Sequence, residues 1–213
     1  VRRLGHELRT PLTAIQGFSS TMLQPDVEWS EGEKERFLRI IEAESGRMGR
    51  LVAQLFDDSA IESGTLSLDL EYCDLVAVVE QAVSVAGPAS SITTTLPESL
   101  TVWGDSDRLQ QVFVNLVGNA LRHNPEGTVV DVSLYEPAVG ASEVSVIVRD
   151  TGGGLPADVF DFVNGSREDL LLDRGLGLRL VRGFVRAHGG TLSAEQGQGT
   201  RIQLELPIEP GVA

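Results

Sequence analysis

The chain holds a single cysteine, Cys73, among 213 residues. One thiol cannot form an internal disulfide, and no Cys/His spacing fits a zinc site, so a disulfide scaffold and a zinc module are both excluded. Basic residues are scarce: Lys plus Arg number 17 against 31 Asp plus Glu, a net charge of −14. That excess repels phosphate backbones and anionic lipid, which argues against a nucleic-acid binder or a membrane-surface protein. No apolar run approaches the roughly 18 residues of a membrane span, and no signal-peptide pattern opens the chain. These absences predict a reducing, cytoplasmic setting with no membrane contact within this segment. The opening residue is Val1 rather than Met, which suggests an upstream portion. What remains is ordinary for a globular protein, 41% hydrophobic and 23% charged, with a length that suits one large or two small domains.

Residues 1–63 show no strand-like alternation and read as two helices. In the first, Leu4, Leu8, Leu12, Ile15, Phe18 and Met22 recur every three or four residues and trace one apolar stripe, which ends at Gln24-Pro25-Asp26. The second begins with Ser30 as N-cap and Glu33 three residues later, a capping box. Its stripe of Phe37, Ile41, Met48, Leu51 and Leu55 is close to a heptad, interrupted by Glu44. Two helices alone bury little. A near-heptad hairpin completes its core against a copy of itself, so a dimeric four-helix bundle is expected.

From Leu66 the pattern changes. Alternating stretches at 66–70, 129–135, 144–149 and 202–206 predict strands. Helical stretches fall at about 74–86, 106–123 and 175–188, the last stopped by Gly189-Gly190. A hairpin is expected to join 129–135 to 143–149. The fold class is therefore an all-α helical hairpin, residues 1–64, followed by an α+β sandwich, residues 65–213, with Gly64 as a hinge.

Three constellations carry chemistry. His6 lies about half a turn from the first stripe, with Glu7 beside it and Thr10 and Thr13 on its exposed side. Pro11 follows inside the helical pattern, where it removes an amide and costs about 3 kcal/mol relative to a good helix former. A neutral imidazole is a nucleophile near neutral pH, and a nearby carboxylate orients it and raises its basicity. A surface histidine on a bent helix is the plain alternative. The helix at 106–123 carries Leu109, Val112, Phe113, Leu116, Val117 and Ala120 on one face and Arg108, Gln111, Asn115, Asn119 and Arg122 on another. Amide oxygens suit Mg²⁺ and arginines suit phosphate, although a polar helix face looks similar. Third come the glycines. Asp150-Thr151-Gly152-Gly153-Gly154 follows a strand, Gly175-Leu176-Gly177-Leu178 opens a helix whose free amides favour phosphate, and Gly197-Gln198-Gly199-Thr200 precedes the last strand. A hairpin turn is the plain alternative for the last of these.

In this order the motifs resemble the catalytic core of a two-component sensor histidine kinase. His6-Glu7-Leu8-Arg9-Thr10-Pro11 is similar to that family's H box, Asn115 to Asn119 to its N box, and Asp150 to Gly154 to its G1 box. Gly175 to Leu178 resembles the G2 box, and Gly197 to Thr200 the glycine turn that follows. The resemblance implies a dimerisation and phosphotransfer hairpin, forming a homodimer, and an ATP-binding domain of the Bergerat type. It implies that His6 accepts the terminal phosphoryl group of ATP, with Glu7 orienting it and taking its proton. Asn115 would hold Mg²⁺, Asn119 would support the metal or phosphates, and Arg122 stands where a phosphate-binding lysine is common. Asp150 would recognise adenine. Gly152, Gly154, Gly175, Gly177, Leu178 and Thr200 would line the nucleotide. The partner is the receiver domain of a response regulator, which takes the phosphoryl group on an aspartate, and Thr10 would position water for its dephosphorylation.

The chain departs from the family between Leu155 and Gly175. The lid is short, with Phe160 or Phe162 as its F box, and Asp173 stands where the first glycine of the G2 pattern is expected. Asp158, Asp161, Glu168, Asp169 and Asp173 make it acidic against Arg167 and Arg174. Two alternatives follow: a degenerate kinase acting mainly as phosphatase or nucleotide-sensing scaffold, and a Bergerat-fold ATPase that leaves the His6 motif idle.

Overall fold

The computed structural model describes residues 2–167 and 172–210. Helix α1 (Arg2–Met22) runs unbroken through Pro11, which is buried. The expected capping box starts α2 (Glu31–Ser63): the Glu33 amide donates to Ser30 Oγ at 3.3 Å, and the Ser30 amide donates back to Glu33 Oε2 at 2.9 Å. Phe37 packs on Phe18 and takes the edge of Trp29, fastening the turn between the helices. Gly64 ends α2 with φ +68°, its amide donating to Ala60 and Ile61. This left-handed cap is one that glycine adopts without strain.

The hairpin stripe is only half-covered. Phe18, Phe37, Ile41 and Leu51 are intermediate in exposure and Leu12 is exposed, as are Leu38, Val52 and Phe56 beside the stripe of α2. Among the described residues the buried apolar core begins at Leu75.

That core belongs to the second unit. After a two-stranded ribbon of β1 (Glu71–Asp74) and β3 (Thr101–Gly104), the other strands form one mixed sheet. They are β2 (Ile92–Thr95), β4 (Val130–Leu134), β5 (Glu143–Asp150), β6 (Thr191–Gly197) and β7 (Gly199–Pro207), in the order β2-β4-β5-β7-β6. β2 runs parallel to β4 and the remaining pairs are antiparallel. Helices α3 (Leu75–Ala86), α4 (Ser106–His123) and α6 (Leu172–Ala187) pack together, and α5 (Ala157–Val163) lies beside β6. All six residues expected on the apolar face of α4 are buried. The predicted hairpin is β4–β5, which pairs Val130 with Asp150. Burial alternates along β5 through Val144, Val146, Val148 and Asp150, so the two-residue period turns Asp150 inward at the strand end.

Two expectations need correction, and a third reading that was open is settled. Residues 66–70 form an irregular connector rather than a strand; the Asp69 amide donates to Asp105 Oδ2 at 3.0 Å, not to a strand neighbour. Gly175-Leu176-Gly177-Leu178 does not open a helix, because α6 begins three residues earlier at Leu172 and encloses the motif. Gly197 to Gly199 is the tight link of the β6–β7 hairpin, the plain alternative for that cluster.

Candidate active site

On α4 the polar stripe faces α6 and the hairpin. Asn115 is 6% exposed; its Oδ1 accepts from Gln54 Nε2 of α2 at 3.5 Å, and its Nδ2 is buried with no partner. Gly177 lies against it, and a Cβ there would sit 3.1 Å from Asn115 Oδ1 and 3.6 Å from Asn119 Nδ2. The backbone of α6 thus approaches both asparagines at a distance that only glycine permits comfortably. Asn119 Oδ1 accepts from Arg122 Nη2 at 3.0 Å, and the guanidinium folds back over Gly118. Partial desolvation first, and then repulsion from Arg47 of α2, lower the Arg122 pKa from its ordinary value. Arg47 is paired with Glu44 at 3.8 Å, whereas Arg122 donates to the neutral amide of Asn119, and a guanidinium so placed favours an anion beside it.

The glycine loop after β5 is organised by two side chains. Asp150, 6% exposed, accepts on Oδ1 from the Gly152 amide at 2.8 Å and the Thr200 amide at 3.3 Å. Asn124, just beyond α4, accepts on Oδ1 from the Gly153 amide at 3.0 Å and donates to Ala120 O at 2.9 Å. A Cβ on Gly152 would collide with this Asn124 side chain. Asn124 therefore ties the end of the asparagine helix to the loop. Gly154 has φ +86°, and Gln196 beyond it donates to Leu155 O at 2.7 Å. Thr200 is buried beside Asp150 because β7 begins at Gly199, packed directly on the Asp150 carbonyl.

The first half of the lid is pinned. Phe162 is buried, with the Arg182 guanidinium 3.8 Å over its ring and Arg182 Nη1 donating to the carbonyls of Phe162 and Arg167. Asn164 exchanges both amide bonds with the backbone of Ala194 in β6, the way a neighbouring strand would. Glu168 and Asp169 lie outside the described residues, as do the side chains of Asp173 and Arg174 and the surroundings of Gly175.

On the hairpin, the side chains of His6 and Glu7 also lie outside the described residues; their backbone is helical, and α1 touches α6. Thr10 is exposed. The sequence therefore brings together Asn115, Asn119 and Gly177 in one group, with Leu178 buried next to them, and Asp150, Gly152 and Thr200 in another.

Several residues of the site were not anticipated. Asp57 of α2 pairs with Arg108 at 2.8 Å, and Asp58 with Arg179 Nε at 2.9 Å, while Glu62 meets the other arm of Arg179. Burial opposes the Arg179 charge, but Glu62 and Asp58 more than offset it and hold its pKa above the ordinary value. Asn124 carried a signal in retrospect, being a helix-capping residue type placed just past Arg122. Asp57 and Asp58 carried none, as acidic residues on a helix usually face water.

Comparison with known proteins agrees with this geometry. Residues 104–210 match the family described as histidine kinase-, DNA gyrase B-, and HSP90-like ATPase, and residues 1–64 match the His Kinase A (phospho-acceptor) domain. The chain is 35% identical over 223 residues to the sensor histidine kinase TrcS of Mycobacterium tuberculosis, covering 95% of this chain and 42% of TrcS. It is 31% identical over 225 residues to the sensor histidine kinase WalK of Bacillus subtilis, covering 98% of this chain and 36% of WalK. The chain thus spans less than half the length of either relative. Among solved structures, the histidine kinase AdeS of Acinetobacter baumannii aligns with a TM-score of 0.66 at 26% identity, over 95% of this chain and 98% of that one.

Proposed function

Because the chain belongs to the two-component sensor histidine kinases, we propose that it phosphorylates its own His6 from ATP and passes the phosphoryl group to an aspartate of a response-regulator receiver domain. Residues 1–64 act as the dimerisation and phosphotransfer unit, and residues 65–213 as the ATP-binding unit. The observation that carries the reading is the Asn115 amide, buried with an unpartnered nitrogen and a weakly held oxygen, in line with Asn119 and Arg122. The unpartnered Nδ2 is a donor that a phosphate oxygen would satisfy, and the weakly held Oδ1 is the acceptor a cation would take.

The residues fit Mg-ATP. Asp150 uses Oδ1 to shape the loop, which leaves its other oxygen to accept from the exocyclic amine of adenine. Gly152 and Gly154 let the loop backbone approach the nucleotide, and Thr200 closes the far wall. Asn115 Oδ1 holds the metal, and Asn119 with Arg122 holds the phosphates. No cluster of His, Cys, Asp and Glu able to hold a metal occurs among the described residues, which suits an ion delivered with its nucleotide. Magnesium, when bound, neutralises phosphate charge and fixes the terminal group for in-line attack.

An imidazole nitrogen of His6 attacks the terminal phosphorus as the bond to the bridging oxygen breaks. Glu7 takes the ring proton, and ADP departs. Thr10, one turn further along α1, positions water for dephosphorylating the regulator. The half-covered stripe of the hairpin supports a homodimer. Covering Leu12, Leu38, Val52 and Phe56 with a second copy would gain about 1.5–3 kcal/mol for each side chain fully buried.

Incubation with ATP labelled on the terminal phosphate tests the reading. Acid-labile, base-stable label should accumulate on the wild type and be absent from His6→Ala. A wild type that releases phosphate but never retains label would instead favour a Bergerat-fold ATPase.

A further inference from the structure

Asn115 is covered by α2. Gln54 bonds its oxygen, and the helix is fastened close by. Arg108 Nη1 reaches Asp57 Oδ2 at 2.8 Å, and Gln111 Nε2 approaches the same oxygen at 3.4 Å. Arg179 binds Asp58 and Glu62 from α6. Ile61 lies over Gly183, where a Cβ would come within 2.4 Å of Ile61 Cδ1. Asp57 and Asp58 are 8% and 6% exposed. Carboxylates this buried persist only while paired, so the contacts form and break together as α2 docks and leaves.

This arrangement satisfies the hairpin better than it satisfies Asn115. Both aspartates gain arginine partners, whereas Asn115 Nδ2 is left without an acceptor and its Oδ1 bond is long. Hydrated magnesium keeps several waters and needs octahedral room, which an amide oxygen buried under α2 does not provide. The adenine end, around Asp150, is not contacted by Gln54 or by the ion pairs of α2.

We infer that Gln54 competes with the metal of the nucleotide for Asn115: docked α2 holds the Asn115 oxygen, and arrival of Mg-ATP displaces Gln54 and frees the helix that pairs with the His6 helix. Gln54 is thus a positioning residue that links nucleotide occupancy to release of the hairpin. The inference rests on Asn115 being the metal ligand. Two occupants that exclude each other are thermodynamically linked, so weakening either one tightens the other.

Calorimetry on the whole chain tests this with two variants. Gln54→Ala removes the competing bond and should bind Mg-ATP roughly fivefold more tightly than wild type, the worth of one ordinary hydrogen bond. Magnesium-free ADP should bind both proteins alike. Ile61→Cys with Gly183→Cys, in a Cys73→Ser background, should lock α2 down when oxidised. The oxidised form should bind Mg-ATP at least about tenfold more weakly than the same protein after reduction. Equal Mg-ATP binding by oxidised and reduced forms overturns the inference. So does a Gln54→Ala protein that binds Mg-ATP no more tightly than wild type, or whose gain extends equally to magnesium-free ADP. If wild type and the reduced double variant bind no nucleotide at all, the proposed function falls and the inference falls with it.

Discussion

Gly199→Ala should damage the adenine end of the site through the backbone alone. Gly199 is buried with φ +89°, and a Cβ there would lie 1.9 Å from the carbonyl oxygen of Asp150 and 2.8 Å from its carbon. Both are main-chain atoms, so no side-chain rotation relieves the collision. Holding alanine at positive φ costs about 1–2 kcal/mol. Relief requires the start of β7 to move off the end of β5, which breaks the bond from the Thr200 amide to Asp150 Oδ1. A hydrogen bond to a charged group contributes about 1.5–3 kcal/mol. The combined loss is about 3 kcal/mol or more, read as a lower urea midpoint by far-ultraviolet circular dichroism. Affinity for ATP should fall as well in calorimetry, about tenfold for each 1.4 kcal/mol that the displaced Asp150 loses in holding adenine. The control is two residues away. Gly197 is exposed, has no positive φ, and a Cβ there meets nothing within 4 Å, so Gly197→Ala should stay within about 0.5 kcal/mol of wild type. Equal midpoints for the two variants would refute the reasoning.

Two further outcomes are expected. His188 is buried between the Asp105 amide, which donates to Nε2 at 3.0 Å, and the Phe184 carbonyl, 2.7 Å from Nδ1; burial lowers its pKa from 6.5 more than the Phe184 carbonyl and Asp105 raise it. The neutral ring therefore contributes stability that is complete above the unfolded pKa and is lost as pH falls toward the depressed folded value, so urea midpoints at about pH 7.5 and 5.5 should differ more for wild type than for His188→Ala, and parallel changes would refute the assignment. Thr10→Ala should keep autophosphorylation and slow dephosphorylation of the regulator; loss of both activities would make Thr10 structural.

Long periodic segments were legible in the sequence. Helix α4 matched its predicted span, because its buried face repeats at helical spacing and Asp105 caps its start, accepting from the Arg108 amide. The Ser30–Glu33 box likewise fixed the start of α2. Short elements were not legible. β2 has four residues, three of them exposed, and β6 is a mostly exposed edge strand, so neither shows alternation. Residues 66–70 alternate without pairing: the Leu66 amide donates to the Ala60 carbonyl at the end of α2 and the Asp69 amide to the Asp105 side chain. In α6 Gly177 misled: it lets the helix lie against Asn115 and Asn119, whereas its residue type alone suggests a terminus. The polar groups of α4 and of the glycine loop were read as candidates, but their joining through Asn124, and the covering of Asn115 by Gln54, depend on contacts between residues far apart in the chain.

Asp57 and Asp58 are adjacent on α2, yet one pairs with α4 and the other with α6. Successive residues on a helix point about 100° apart around its axis. The rod therefore has one angular setting at which both carboxylates find their arginines. Because both carboxylates ride on one helix, a departure from that setting acts on the two pairs at once. The 33 residues of this helix thus join the turn of the hairpin, at one end, to a pair of oriented charge contacts at the other.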